Sequence, residues 1–396
     1  MTEYALEALA DLVDPKRRIT YGVVKPGPHD PDGVVFVRGG DIAAGRIDID
    51  NLRTITRDVS DSYKRTLLQG GELLVSLVGK PGEVAIAPER LAGANIARQV
   101  GLVALRKDIC ARYVMYFLMS RQGRALLSSR SKGSVQTVIN LADLKAARVP
   151  LPPISTQWRI AGILSAYDDL IENNTKRIKI LEEMARVLYR EWFVHFRFPG
   201  HEKVKLVDYP LGQIPEGWDV GRLDDALVLQ RGFDLPKKAR IPGRVPIYAS
   251  TGVVGSHNEA KMKGPAVVTG RSGSLGTVRF VEGEYWPLNT ALWSRGLKRV
   301  SAHYAYFLLQ ELDLARMGGG AAVPTLNRNH VHAMEIVLPP AAAVTDFDEL
   351  VVPMFKLRSV LRNQNEALTE ARDLLLPRLI SGEIDVDALE LPEAAQ

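Results

Sequence analysis

From Tyr167 onward, bulky and mostly apolar residues recur at alternating steps of four and three: Tyr167, Ile171, Asn174, Ile178, Leu181, Ala185, Leu188 and Trp192. That rhythm is the seam of a coiled coil, in which the inward positions repeat every 3.5 residues. A second stretch keeps it through Met354, Leu357, Leu361, Gln364, Leu368, Ala371 and Leu375. Positions 167, 174, 181 and 188 map onto 354, 361, 368 and 375 by a single shift of 187 residues. The spacing predicts two long helices, the first from about Gln157 to Phe196, roughly 60 Å long at ~1.5 Å per residue. Each apolar stripe needs a partner, which is either the other helix or the core of its own domain. Because the rhythm persists in both copies, the reading adopted is an antiparallel coiled coil, with Asn174 and Gln364 as polar residues that set register.

Upstream of each helix the pattern is that of short strands, in Val34–Val37, Glu72–Leu77 and Val84–Ala87 and again in Ala266–Thr269 and Thr277–Val281. Gly and Pro punctuate them. A helix-like run follows in each half, from Tyr113 and from Tyr304, then a glycine-bearing polar loop and a last strand closed by Pro152-Pro153 or Pro339-Pro340. Paired prolines cannot continue a sheet. Asn140 and Leu151-Pro152-Pro153 return as Asn327 and Leu338-Pro339-Pro340 at the same offset of 187. Farther upstream the offset drifts: Tyr116-Phe117-Leu118 matches Tyr306-Phe307-Leu308 at 190, and Asn95 matches Asn289 at 194. One unit is present twice, with insertions in its loops. The segment KRRITYGVVKPGPHDPDGVVFVRGGDI has no evident counterpart in the second copy.

The resulting fold class is α+β: two mixed α/β domains related by a pseudo-two-fold repeat, separated by two long helices. The boundaries are 1–153 for the first domain, 154–200 for the central helix, 201–340 for the second domain and 341–396 for the distal helix with an acidic tail.

Composition narrows the picture. With 46% hydrophobic and 24% charged residues among 396, the chain is that of a water-soluble globular protein. The first residues lack the basic start and apolar core of a signal peptide, and no run approaches a membrane span, so no membrane association and a cytoplasmic location are expected. The one cysteine, Cys110, excludes an internal disulfide and multi-cysteine metal sites; its apolar neighbours make it a core residue rather than a nucleophile. Residues 1–150 hold 22 Lys and Arg against 16 Asp and Glu, and residues 221–340 hold 15 against 9, so each globular body is +6. Residues 341–396 are −6. Two positive bodies joined by neutral or acidic helices fit a polyanion held at two places; such modest excesses also fit ordinary solvated surface.

Catalytic chemistry is hard to find. Arg271-Ser272-Gly273-Ser274-Leu275-Gly276 has neither the Gly-x-Gly-x-x-Gly order nor the Gly-Lys-Ser/Thr ending of nucleotide loops. His330 and His332, which would share a strand face, lack accompanying ligands, so no metal site is expected. The Pro-Pro pairs lack the flanking polar and aromatic residues of an Asn-Pro-Pro-Tyr methyltransferase motif.

Several phrases together carry a resemblance. LGQIPEGWDVGRLDD, TGRSGSLGTVRFVEGEYWPLNTALW, AAVPTLNRNHVHAMEIVLPP and LLLPRLISGEIDV follow in the order seen in the specificity subunit of type I restriction-modification systems. QGGELLVSLVGKPGEVAI and SVQTVINLADLKAARVPLPPISTQWRIAGILSAYDDLIE repeat that order with less identity. The resemblance implies a non-catalytic subunit of a restriction system for phage defence. Its two target recognition domains would each read one half of a split double-stranded DNA target, with the helices as spacer. Two methyltransferase subunits and the restriction (translocase-nuclease) subunits would be its partners, and S-adenosylmethionine, ATP and Mg would be their cofactors. This chain itself would hold none.

Reading DNA needs side chains that match base edges and cations on the phosphates. Candidates in the first domain are Arg38, Lys80, Arg130, Lys132, Ser134, Gln136 and Asn140. In the second they are Arg231, Lys237, Lys238, Arg240, Arg271, Ser272, Ser274, Asn327 and Arg328. For Asn140 and Asn327 a helix-capping role competes with base contact. Two other readings remain: a methyltransferase or nuclease fused to one recognition domain, for which the repeat leaves no room, and a coiled-coil adaptor that binds protein partners rather than DNA.

Overall fold

Each long helix starts where a proline pair stops a strand. The strands Arg148–Leu151 and Glu335–Leu338 are followed by helices Ile154–Tyr189 and Ala341–Ile380. Proline ends the ladder because it has no N–H, while its restricted φ suits the first turn of a helix. The computed structural model describes residues 4–128, 138–318 and 324–389. The chain divides into two compact units, one of Met1–Asn173 with Gln364–Gln396, the other of Asn174–Asn363. Among the described residues, no helix is long and apolar enough to cross a membrane.

In the first unit an antiparallel sheet runs in the order Thr20–Tyr21, Val100–Val103, Leu73–Ser76, Val84–Ile86. A second sheet pairs Val34–Val37 antiparallel with Arg53–Ile55 and parallel with Asn95–Ile96. The helix Ala111–Met119 buries Tyr113, Tyr116 and Phe117 in the core with Leu73, Val75 and Val84. Each such side chain contributes roughly 1.5–3 kcal/mol on burial. The terminal strand Ala5–Ala8 pairs with Arg148–Leu151 and closes the unit.

The second unit repeats these layers. Its antiparallel sheet runs Leu227–Arg231, Ala291–Leu297, Ala266–Gly270, Val278–Val281. Its second sheet joins Val245–Ala249 in parallel to Glu284–Pro287, and Asp219–Arg222 pairs with Glu335–Leu338. The helix Ala302–Glu311 covers the core, where Tyr304 and Phe307 meet Tyr189, Phe193 and Phe347.

Backbone hydrogen bonds set the correspondence between units residue by residue. Leu9 N donates to Ala147 O at 2.8 Å, as Leu223 N does to Met334 O at 2.8 Å. Ile139 N donates to Leu77 O at 3.0 Å, as Leu326 N does to Arg271 O at 2.8 Å. Arg98 N donates to Val23 O at 2.9 Å, as Asn289 N does to Phe233 O at 3.0 Å. Gly22 and Gly232 occupy one position, where a Cβ would lie 1.8 Å from Ile96 O or 2.3 Å from Leu288 O. Only glycine fits such an approach of backbone to backbone.

Two sequence expectations change. The segment beginning at Lys16 does have a counterpart: Tyr21-Gly22-Val23 matches Arg231-Gly232-Phe233, and the strand Val34–Val37 matches Val245–Ala249. Insertions between these elements hid it. The match of Asn95 with Asn289 fails, because the equivalent of Asn289 is Arg98; Asn95 is a buried structural residue that accepts from Thr66 Oγ1 at 2.6 Å.

The long helices run antiparallel within each unit. In the first, Arg372 Nη1 meets Asp168 Oδ1 at 2.6 Å and Asn365 Nδ2 donates to Ile171 O at 3.3 Å. In the second, Arg358 Nη1 meets Glu182 Oε1 at 3.2 Å and the Tyr189 and Phe347 rings lie 6.0 Å apart. Asn174 and Leu361 are buried, while Tyr167, Ile171, Ile178, Leu181, Leu188, Met354, Leu368 and Leu375 are half-buried. Leu357 departs from the expected seam: it is 38% exposed, and its neighbour Arg358 turns inward onto Phe355 and Phe280 instead. Gln364 is likewise exposed, with Asn365 facing the first helix. The inner face of this helix packs on its domain as well as on its partner, which shifts the buried stripe away from strict heptads.

Candidate nucleic-acid interface

Four of the second unit's sequence candidates converge. Arg231, Arg271, Asn327 and Arg328 line one cleft of about 490 Å³, together with Thr325 and Asn329. They arrive there from three separate segments. Arg231 ends an edge strand and faces Leu292 in register. Arg271 follows the strand Ala266–Gly270, which Ala291–Leu297 separates from that edge strand; its N–H donates to Thr290 O at 2.8 Å and its carbonyl accepts from Leu326 N at 2.8 Å. Arg328 opens the short helix Arg328–His332, which Asn327 caps by accepting from Asn329 N at 3.0 Å. The Arg271 guanidinium reaches Asn289 O at 3.4 Å, and Arg231 lies 3.8 Å from Asp234. Among the described residues, none of those lining the cleft is a carboxylate.

The other second-unit candidates lie apart from this lining. Ser272 Oγ is 3.5 Å from Thr325 Oγ1 at the rim, and Ser274 is exposed in the same turn. Lys237 and Lys238 are exposed on the single turn Lys237–Ala239, and Arg240 donates to Leu235 O and Val254 O at 3.4 Å each. His330 and His332 stand on a short helix, not on a strand. His332 Nε2 accepts from Leu229 N at 2.9 Å, and burial lowers its pKa, so it serves as a neutral structural acceptor.

The first unit's cleft, of about 220 Å³, is built differently. Arg38, Arg53, Arg98 and Gln99 line it with Thr54 over an apolar floor that includes Val23 and Phe36, again with no carboxylate among the described lining. Of these only Arg38 was named from sequence, and it is partly committed: Asp41 accepts from its Nε at 3.0 Å and its Nη2 at 2.7 Å. Arg53, Arg98 and Gln99 were missed. The signal available for the latter two was a polar Arg-Gln pair interrupting the apolar run from Ala94 to Leu105. Lys80 is exposed on the turn after Leu73–Ser76, outside this cleft. Asn140 caps the helix Leu141–Ala146 by accepting from Asp143 N at 2.8 Å. Arg130, Lys132, Ser134 and Gln136 lie outside the described residues.

Cys110 is fully buried, and burial pushes its thiol pKa up, the reverse of an activated nucleophile. Among the described residues, no group of three His, Cys, Asp or Glu is placed to hold a metal ion.

Comparison with known proteins agrees with this architecture. The model of the type I restriction modification DNA specificity domain matches residues 27–183. The type I restriction enzyme MjaIX specificity subunit of Methanocaldococcus jannaschii is 28% identical over 364 residues, covering 85% of this chain and 83% of that one. The EcoBI specificity subunit of Escherichia coli is 35% identical over 168 residues, 41% of this chain and 35% of its own length. The crystal structure of a type I restriction-modification S subunit from M. genitalium has the same fold, with a TM-score of 0.57 at 19% identity over 95% of this chain and 96% of that one. With a repeated α/β scaffold, long helices that run antiparallel within each unit and likeness over most of its length, the chain is similar to type I restriction-modification specificity subunits.

Proposed function

We propose that this chain is the sequence-reading subunit of a type I restriction-modification complex, each unit contacting one half of a split duplex DNA target. The observation that carries the reading is the pair of clefts, each lined by three arginines without a carboxylate. Arg38 and Arg231 have Asp41 and Asp234 beside them, but among the described residues the other two arginines of each lining have no carboxylate within ion-pair distance, and a polyanion relieves the repulsion between them. Arginine also matches both phosphate and guanine through two parallel hydrogen bonds.

In this reading the chain is non-catalytic. Two methyltransferase subunits and the restriction subunits assemble on it and bring S-adenosylmethionine, ATP and Mg. The two long helices act as the spacer between half-targets. Its place of action is the cytoplasm, where the DNA target is met.

The test is duplex binding by the chain in complex with its methyltransferase partner, measured across salt concentrations. Six arginines on phosphates would make log K fall with log salt at a slope of about −5, and contacts to bases would make the slope shallower. Binding that ignores salt and sequence would leave the protein-binding adaptor as the better account.

A further inference from the structure

The two clefts occupy different places on the same scaffold. The hydrogen-bond correspondence puts Tyr21, Leu77 and Leu141 where the second unit carries Arg231, Arg271 and Arg328. Leu77 is buried, so the first unit is apolar and closed at the position where the second unit presents its central guanidinium. The reverse also holds. Arg98 and Gln99 correspond to Asn289 and Thr290, whose side chains are used internally: Asn289 Nδ2 bonds Asp234, and Thr290 Oγ1 accepts from Ser250 N at 3.4 Å.

Among the described residues, the side chains of Arg98 and Gln99 make no bond within the protein, and both are exposed on the cleft. Their backbone is nevertheless fixed. Arg98 N is held by Val23 O at 2.9 Å, and Gln99 O accepts from Leu77 N at 2.7 Å. Side chains whose donors and acceptors are not used within the protein, set on a main chain already fixed by hydrogen bonds, suit base readout: the backbone needs no further ordering, only the side chains do, and cations for the phosphates lie alongside.

We infer that Arg98 and Gln99 are the specificity-determining pair of the first unit, contacting base edges in the major groove at a site that the second unit does not share. Arg98 has the fork that matches guanine O6 and N7, Gln99 has the amide that matches adenine N6 and N7, and Arg53 takes a phosphate. This rests on the DNA-reading assignment above and names the chemistry of its first site.

The experiment is selection of duplexes randomised in both half-targets, using the chain bound to its methyltransferase subunit. Arg98→Lys keeps the charge and loses the fork. It should cost roughly tenfold or more at one guanine position, with the salt slope and the preference in the other half-target retained. Gln99→Glu should move one position from adenine towards cytosine, because a carboxylate accepts from cytosine N4. A gained preference cannot come from unfolding, and the unchanged other half reports an intact complex. Retained wild-type preference in both variants would overturn the inference while leaving the DNA-reading assignment standing. A wild-type complex with no sequence preference would remove that assignment itself, and the inference with it.

Discussion

His303 makes the stability of the second unit depend on pH in a direction that can be worked out in advance. Its ring stacks on Phe280 at 4.6 Å and meets the edge of Phe355 at 5.0 Å. Burial first, and the Arg358 charge second, lower its pKa from the ordinary 6.5 to about 4. Asp348 lies 3.8 Å away, but its own carboxyl is pushed up by burial and accepts from Ser301 Oγ at 2.8 Å. A histidine with a depressed folded-state value binds its proton more readily when unfolded. The stability it contributes is therefore complete above pH 6.5 and lost as pH falls towards 4. At pH 5 the loss comes to about 2 kcal/mol relative to pH 8. Asp348 acts in the opposite sense, so the useful quantity is the difference between wild type and His303→Phe at each pH. Tryptophan emission during urea unfolding isolates this unit: Trp192, Trp218, Trp286 and Trp293 are all buried in it, whereas Trp158 of the first unit is 55% exposed. The advantage of wild type over the variant should shrink by about 2 kcal/mol between pH 8 and pH 5. A difference that stays constant to within about 0.5 kcal/mol would refute the reasoning, since a one-unit pKa difference is already worth ~1.4 kcal/mol.

Other perturbations test the scaffold. Asp168 accepts from Tyr116 Oη and from Arg372 Nη1, each at 2.6 Å, and joins the helix Ala111–Met119 to both long helices within the first unit. Asp168→Asn should destabilise that junction by roughly 3 kcal/mol, the low end for a broken buried pair, because Asp373 keeps a 2.8 Å contact with Arg372. Hydrogen exchange should rise across Ala111–Met119, and unchanged protection there would contradict the assignment. Gly22→Ala would place a methyl 1.8 Å from Ile96 O, and the first unit should lose its fold. Proteolysis should then cut the first unit, while the tryptophan transition of the second unit keeps its midpoint; wild-type resistance would show that the close approach is not obligatory.

Much of this molecule is local in origin, and the sequence by itself determined that part. The period of 3.5 residues marked both long helices, the proline pairs marked where they begin, and the 187-residue offset from Asn140 to Asn327 announced a duplicated unit. The two asparagines hold equivalent capping positions because a cap depends on its own helix turn and nothing remote. Heptad counting erred by one residue at Leu357 and Gln364, where packing against the domain, not only against the partner helix, chose Arg358 and Asn365.

Which cations share a site was decided only by tertiary structure. Arg231, Arg271 and Arg328 are brought together by strand register and by the Leu326–Arg271 hydrogen bond across more than fifty residues. Arg53, Arg98 and Gln99 likewise meet because Val34–Val37 pairs antiparallel with Arg53–Ile55 on one side and parallel with Asn95–Ile96 on the other, while Gly22 lets the Val23 segment lie against Ile96 and Ala97. Loop insertions shift the offset between copies without disturbing these hydrogen bonds, so identical letters such as Asn95 and Asn289 fall at different places in the fold, and different letters such as Leu77 and Arg271 fall at the same one. Helices and caps are written in neighbouring residues; a cleft is written in long-range pairings, which no local pattern contains.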